Sequence, residues 1–400
     1  MPTASLTRRR LIGAAAFSAI APWARLATAG SGPADGARFV FVVLRGGMDG
    51  LAAAPAIGDP AFAAARGALG VFASPALPLD GLVALHPNLQ QLHAMFEARE
   101  AAVVHAVGLP YRERSHFDAQ QVLESGGTRP HELASGWLGR ALAATQRRGV
   151  AMNTAVPLAL RGADQVDSWA PSTLPEPSAD LVARLQSMYR NDPALGNALA
   201  RARDLRKEAE MAENAVAAAP NRAGALALAQ KAAELLTRPG GSTVAVLELG
   251  GWDSHANQAA ANGALANNLR TLDQLLATLR EGLSSPQAGQ AWARTVVLVA
   301  SEFGREVAIN GTLGTDHGSG GVAFVLGGAV KGGVVHTDWP GLAPAQRFEG
   351  RDLRITTDLR SLLRPILHQH LGVARSALDR DVLPASQGLP ELDLLRGAAA

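Results

Sequence analysis

The 400-residue sequence contains no cysteine. That excludes disulfides, thiolate metal ligands and a lipid-bearing cysteine. A protein of an oxidising compartment is free to use disulfides. A chain that folds in a reducing cytoplasm before export cannot rely on them, and the absence fits that route. Beyond residue 29 there is no long uninterrupted apolar stretch, so no second membrane anchor is expected. Nor does any stripe of Arg and Lys interleave with aromatics, which speaks against nucleic-acid binding. The small basic excess, 37 basic against 35 acidic residues, is local. Arg8, Arg9, Arg10 and Arg25 lie within residues 1–29, where no acid occurs, and the remainder carries a net −2.

The N-terminus supplies what the rest lacks. Thr7-Arg8-Arg9-Arg10-Leu11-Ile12 sets an arginine cluster before an uncharged apolar run, Leu11 to Trp23, and Ala27-Thr28-Ala29 offers small residues for cleavage. The run is too short for a bilayer, which needs ~20 residues. Basic, apolar and small-residue regions in this order predict a secretory signal, and the paired arginines predict the twin-arginine route. The expectation is a signal peptide over 1–29, a linker over 30–37, and a periplasmic or secreted protein. The twin-arginine translocase is then a partner during export, and no stable membrane anchor remains after cleavage.

Arg38 to Leu44 is apolar and β-branched after its first residue, as a strand buried on both faces requires. Ala101 to Val107, Val156 to Leu160, Thr243 to Leu249, Thr295 to Ala300 and Val322 to Leu326 read likewise. Helical stretches lie between, at 88–98, 115–125, 136–146, 259–283 and 359–371. Alternation of this kind predicts an α/β fold, a doubly wound and mostly parallel sheet with helices on both faces. Residues 178–237 hold no strand candidate. They predict a helical insertion of two or three helices, interrupted near Pro193 and Pro220, on an α/β domain spanning 38–400.

Polar residues gather at the strand ends, where open α/β sheets bind ligands. Asp49 lies in a glycine-rich turn after the first strand, as a metal ligand or a turn-stabilising residue. Ser115, in Arg114-Ser115-His116-Phe117-Asp118, opens a helix as a nucleophile or an N-cap; His116 and Asp118 are ligand candidates of lower rank. Glu248 ends a strand, and Asp253 and His255 follow on a loop where carboxylate and imidazole can share a divalent cation. Glu302 and Arg305 end another strand, as ligand and oxyanion holder or as a mutual salt bridge. Asp316 and His317 lie in a glycine-rich loop with nothing bulky to block a cation.

Arg45-Gly46-Gly47-Met48-Asp49-Gly50, Ser115-His116-Phe117-Asp118, Gly136-Trp137-Leu138-Gly139-Arg140, Gly250-Gly251-Trp252-Asp253-Ser254-His255, Ser301-Glu302-Phe303-Gly304-Arg305 and Gly314-Thr315-Asp316-His317-Gly318 together carry a resemblance. They resemble the serial motifs of a large bacterial family of twin-arginine-exported proteins of unknown function, grouped with the alkaline phosphatase/sulfatase superfamily. The resemblance implies an alkaline-phosphatase-like sheet and one or two divalent ions (Zn, Mn, Mg or Ca). It implies Asp49, Glu248, Asp253, His255, Glu302, Asp316 and His317 as metal ligands. Ser115 would be the nucleophile and Arg305 a second catalytic residue, acting on an anionic phosphate or sulfate ester. Phe303 stands where the superfamily has a ligand His, and His255 follows Asp253 by two residues rather than four. These departures imply one metal rather than two, or a binding or assembly protein that kept the fold and lost turnover.

Overall fold

The computed structural model describes residues 36–171, 177–210 and 222–397. The expected signal peptide and almost all of the expected linker lie outside the described residues.

The chain builds a nine-stranded sheet in the order β10-β4-β9-β8-β1-β7-β5-β6, with β11 also paired to β4. The strands are β1 (Arg38–Leu44), β4 (Ala101–Gly108), β5 (Gly149–Ala151), β6 (Val166–Ser168), β7 (Val244–Leu249), β8 (Thr295–Ser301), β9 (Gly321–Leu326), β10 (Val334–His336) and β11 (Thr357–Asp358). A separate antiparallel ribbon joins β2 (Leu77–Pro78) to β3 (Ala84–Leu85). β1 is parallel to both β7 and β8. Among the described residues of the large sheet only β9 runs against its neighbours, β4 and β8. The result is a mixed, mostly parallel sheet.

β1 accounts for the two helical layers. Side chains alternate across a strand. Val40, Val42 and Leu44 enter one core with helices Gln90–Glu97, Arg222–Thr237 and Ala264–Ser284. Phe39, Phe41 and Val43 enter the opposite core with helices His116–Ser125, Trp137–Thr145 and Arg360–Pro365. A strand between two cores has no polar face, which is why its sequence reads as a continuous apolar run.

One expected strand is absent. Leu158–Leu160 forms a 3-10 turn instead of the strand expected over 156–160. Pro157 precedes it and has no N–H to give a ladder. The run is buried for another reason, since Leu158, Ala159 and Leu160 pack beside helices His116–Ser125 and Trp137–Thr145. The neighbouring sheet positions go to the short β5 and β6.

The described residues of 178–237 hold three helices. Ala179–Met188 buries no residue, and Pro193 opens the second helix, Pro193–Glu210. Pro220 lies outside the described residues. The third helix, Arg222–Thr237, buries Ala225, Ala229, Ala232 and Leu236 in the core against helix Ala264–Ser284, so it belongs to the sheet's own layer. Among the described residues no helix is long and apolar enough to cross a membrane.

Two buried histidines give the fold a pH dependence. His105 in β4 accepts from Ala106 N at its Nδ1 (2.8 Å), and its Nε2 faces Ala54 O at 2.8 Å. Both nitrogens are matched only by the neutral ring. Burial lowers this pKa to about 4 against small opposing contributions from Ala54 and Asp49. His370 is likewise lowered to about 4, chiefly by burial. The unfolded chain takes up protons near pH 6.5 and the folded chain does not. Stability is therefore fully present above about pH 6.5 and falls as pH drops toward 4. Each histidine accounts for roughly 3 kcal/mol. Urea unfolding between pH 7 and 4 is expected to show this loss, reduced in a His105→Gln variant if that variant folds.

Candidate metal centre

The parallel strands deliver their carboxyl ends to one edge. β4 leads to His116, β7 to Asp253 and β8 to Glu302. β9 runs the other way, so the loop before it, with Asp316 and His317, arrives at the same edge. Close backbone pairing fixes these loops. Gly304 N donates to Ser319 O (3.0 Å) and Gly318 N to Gly304 O (3.0 Å). A Cβ on Gly304 would lie 1.9 Å from Gly320 O, so no other residue fits there. Gly46, at φ +121°, plays the same part beneath the β7 loop, where a Cβ would meet Asp253 N at 2.6 Å.

Three imidazoles and one carboxylate converge here. His317 Nε2 lies 3.1 Å from His116 Nε2, 3.1 Å from His255 Nε2 and 3.1 Å from Asp253 Oδ1. His255 Nε2 is 2.8 Å from Asp253 Oδ1, and His116 Nε2 is 3.5 Å from Asp253 Oδ2. Donor atoms of His116, Asp253 and His317 all lie within 4.8 Å of one another. In tetrahedral coordination with metal–nitrogen bonds near 2.05 Å, ligands sit about 3.3 Å apart. The spacing fits a single small divalent ion.

The other ring nitrogens are held as well. His116 Nδ1 meets Glu302 Oε1 at 2.8 Å, His255 Nδ1 meets Asp316 Oδ1 at 3.2 Å, and His317 Nδ1 meets Arg114 O at 3.1 Å. Each Nδ1 faces an acceptor and is placed to carry the proton. Each Nε2 lone pair is thereby turned toward the common point. Histidine ligands of metals are oriented in this way, and Asp253 is the carboxylate that faces the Nε2 atoms here.

Burial tends to raise the Asp253 pKa, but Arg305, His255 and His116 outweigh it and hold it at about 2. Burial also pushes Glu302 up; hydrogen bonds from His116, Gln120 and Gly46 N leave it below its ordinary value. Glu302 raises His116, while burial and the neighbouring His116 lower His317.

The structure sorts the residues singled out in the sequence. Asp253, His255 and His317 come together. Glu302 and Asp316 sit one layer out, as acceptors for ligand histidines. Glu248 is elsewhere, bound by Arg45 Nη2 (2.6 Å) and Asn153 Nδ2 (3.2 Å). Asp49 is buried, caps helix Gly50–Ala53 through Ala52 N, pairs with Arg66 Nη2 at 2.5 Å and accepts from Gln258 Nε2. It stands outside the group of donors able to share an ion.

Arg305 is almost fully buried. Its guanidinium is taken up by Asp253 Oδ1 (2.7 Å), Thr315 Oγ1 (3.2 Å) and Thr315 O. It positions Asp253 rather than reaching outward. Ser115 occupies the N-cap position without a capping bond, and its hydroxyl meets Tyr111.

His116 is the donor that the sequence ranked too low. It sits at the first position of a helix, where a capping or structural role is the ordinary reading. The available signal was its place after a strand, in the loop register of the other clusters. Phe303, which stands where the resemblance implies a histidine, packs at a tilt against the rings of His116 and His317. Its centroid is 4.7 Å from that of His116 and 5.2 Å from that of His317.

The sequence model of a family described as "Protein of unknown function (DUF1501)" matches residues 99–377. No curated protein matches the chain. Among solved structures, the PsFucS1 sulfatase from Pseudoalteromonas sp. is similar at 14% identity and TM-score 0.44, over 93% of this chain and 73% of that one. The lipoteichoic acid synthase LtaP from Listeria monocytogenes is similar at 10% identity and TM-score 0.41, over 88% and 76%. A protein in the alkaline phosphatase superfamily from Vibrio parahaemolyticus is similar at 9% identity and TM-score 0.36, over 73% and 60%.

Proposed function

Because the chain belongs to the DUF1501 family, whose description names no reaction, its function rests on its site, and we propose an exported metal-dependent hydrolase of phosphate or sulfate esters. The observation that carries the metal is the set of three histidines whose Nδ1 atoms are tied to Glu302, Asp316 and Arg114 O while their Nε2 atoms face Asp253. The ester class comes from the motif resemblance, and export from the arginine-led N-terminus.

A divalent cation bound there supplies charge to polarise an ester oxygen and activate a nucleophile. His116, Asp253 and His317 would hold it, with His255 beside them against His317 and Asp253. Glu302 and Asp316 orient the rings, and Arg305 keeps Asp253 ionised and in place. Asp253 and His255 are exposed on one side, which leaves an approach for substrate. The hydroxyl of Ser115 is not spent on the helix it opens. In this reading it attacks phosphorus or sulfur, the alcohol leaves, and water cleaves the resulting enzyme ester.

A second reading, a metal-binding protein without turnover, is favoured by one observation. Arg305 is engaged within the protein and is not free to hold an oxyanion. Assays of 4-nitrophenyl phosphate and sulfate on mature, metal-loaded protein separate the two. Turnover that disappears in Ser115→Ala while bound metal stays stoichiometric supports the hydrolase. Stoichiometric metal without turnover on either ester class supports the binding protein.

A further inference from the structure

A cavity of about 150 Å³ opens against Gln258–Ala261, the continuation of the loop that carries Asp253 and His255. Leu69, Phe72 and Leu265 give it apolar walls, Arg270 brings charge, and His86 and Arg270 bring hydrogen-bond donors. His86 Nδ1 accepts from Asn88 N at 3.1 Å, so the ring proton sits on Nε2. Among the described residues Nε2 has no hydrogen-bond acceptor. Arg270 is held in position by two neutral acceptors, Asn267 Oδ1 (2.9 Å) and Ala261 O (2.7 Å). No carboxylate of the described residues pairs with it.

A guanidinium without a counter-charge, beside an N–H donor, on the rim of an apolar cavity, selects an anion with an apolar body. Pockets of this kind take their affinity from the apolar walls and their orientation from a few polar groups. A planar guanidinium matches a carboxylate in particular. We propose that this cavity is a binding site for a small aliphatic carboxylate, its head at Arg270 and His86 and its chain along Leu69, Phe72 and Leu265. The site uses none of the residues of the metal centre and does not depend on the hydrolase reading.

The test is isothermal titration of metal-free mature protein with hexanoate, with hexanol and hexylamine as controls. Hexanoate is expected to bind saturably, and the alcohol and the amine at least tenfold more weakly. Arg270→Gln is expected to weaken hexanoate tenfold or more. Phe72→Ala, in an outer loop, is expected to weaken it several-fold. Binding is expected to persist in His317→Ala, which separates this cavity from the metal centre. Absence of saturable hexanoate binding to the wild-type protein overturns the proposal. So does hexanol binding as tightly as hexanoate, or retention of full affinity in folded Arg270→Gln. If Arg270→Gln does not fold, the comparison of the three ligands on wild-type protein decides alone.

Discussion

Replacing His317 with alanine is expected to lower the affinity for a divalent ion by a hundredfold or more. His317 is the central donor, with Nε2 3.1 Å from His116, His255 and Asp253 alike. Removing it leaves the remaining donors without their shared neighbour. The loss of a residue that merely orients a ligand costs about 10–100-fold in metal affinity, so loss of a ligand lies at or beyond the upper end. A hundredfold corresponds to about 2.7 kcal/mol. The measurement is competition against a chelator of known affinity, with zinc as the probe, on protein purified without a histidine tag. Glu302→Gln, which leaves the His116 ring without its carboxylate, is expected to fall in the 10–100-fold range. A His317→Ala protein that binds zinc like the wild type refutes the centre.

Asp49→Ala is expected to act on stability rather than on metal. Arg66 is 0% exposed and Asp49 1%. Removing the carboxylate leaves a guanidinium buried with its charge unmatched. Breaking such a pair from one side costs about 3–5 kcal/mol, and loss of the cap on helix Gly50–Ala53 adds about 1 kcal/mol. The folded variant is expected to keep its metal stoichiometry, and denaturant titration with metal analysis tests both halves. The double variant Asp49→Ala/Arg66→Met is expected to recover much of the loss, because it removes both charges. A stable Asp49→Ala protein that no longer binds metal would restore Asp49 as a ligand.

The contrast between Asp49 and Asp253 marks how far the sequence can be read. Both follow a core strand, and both lie in glycine-rich turns. Their fates differ because Arg66, from a short helix with no periodic signal, reaches one, and Arg305, from a strand end, reaches the other. Tertiary partners of this kind leave no trace in local pattern. The long strands were legible because double-sided burial demands β-branched residues at consecutive positions. Three-residue strands such as β5 and β6 impose no such demand, and the apolar run Val156 to Leu160 reads as a strand in their place. The loops of the site were legible as clusters, since glycine and ligand-type residues coincide there. Which members touch an ion and which stand behind them was not, because Glu302 and Asp253 differ only in the direction their side chains take from the edge.

The reversed strand β9 has a consequence for how the protein matures. It pairs with β8, the strand just before it in the chain, and with β4, far away in sequence, and pairings of the second kind form slowly. Only when β9 is in place does the loop before it carry His317 to His116 and Asp253. A chain stalled before that step holds the other donors without their centre. An ion that binds only the completed sheet stabilises it by mass action. An ion bound at this edge would therefore report a sheet in which β9 is already in place.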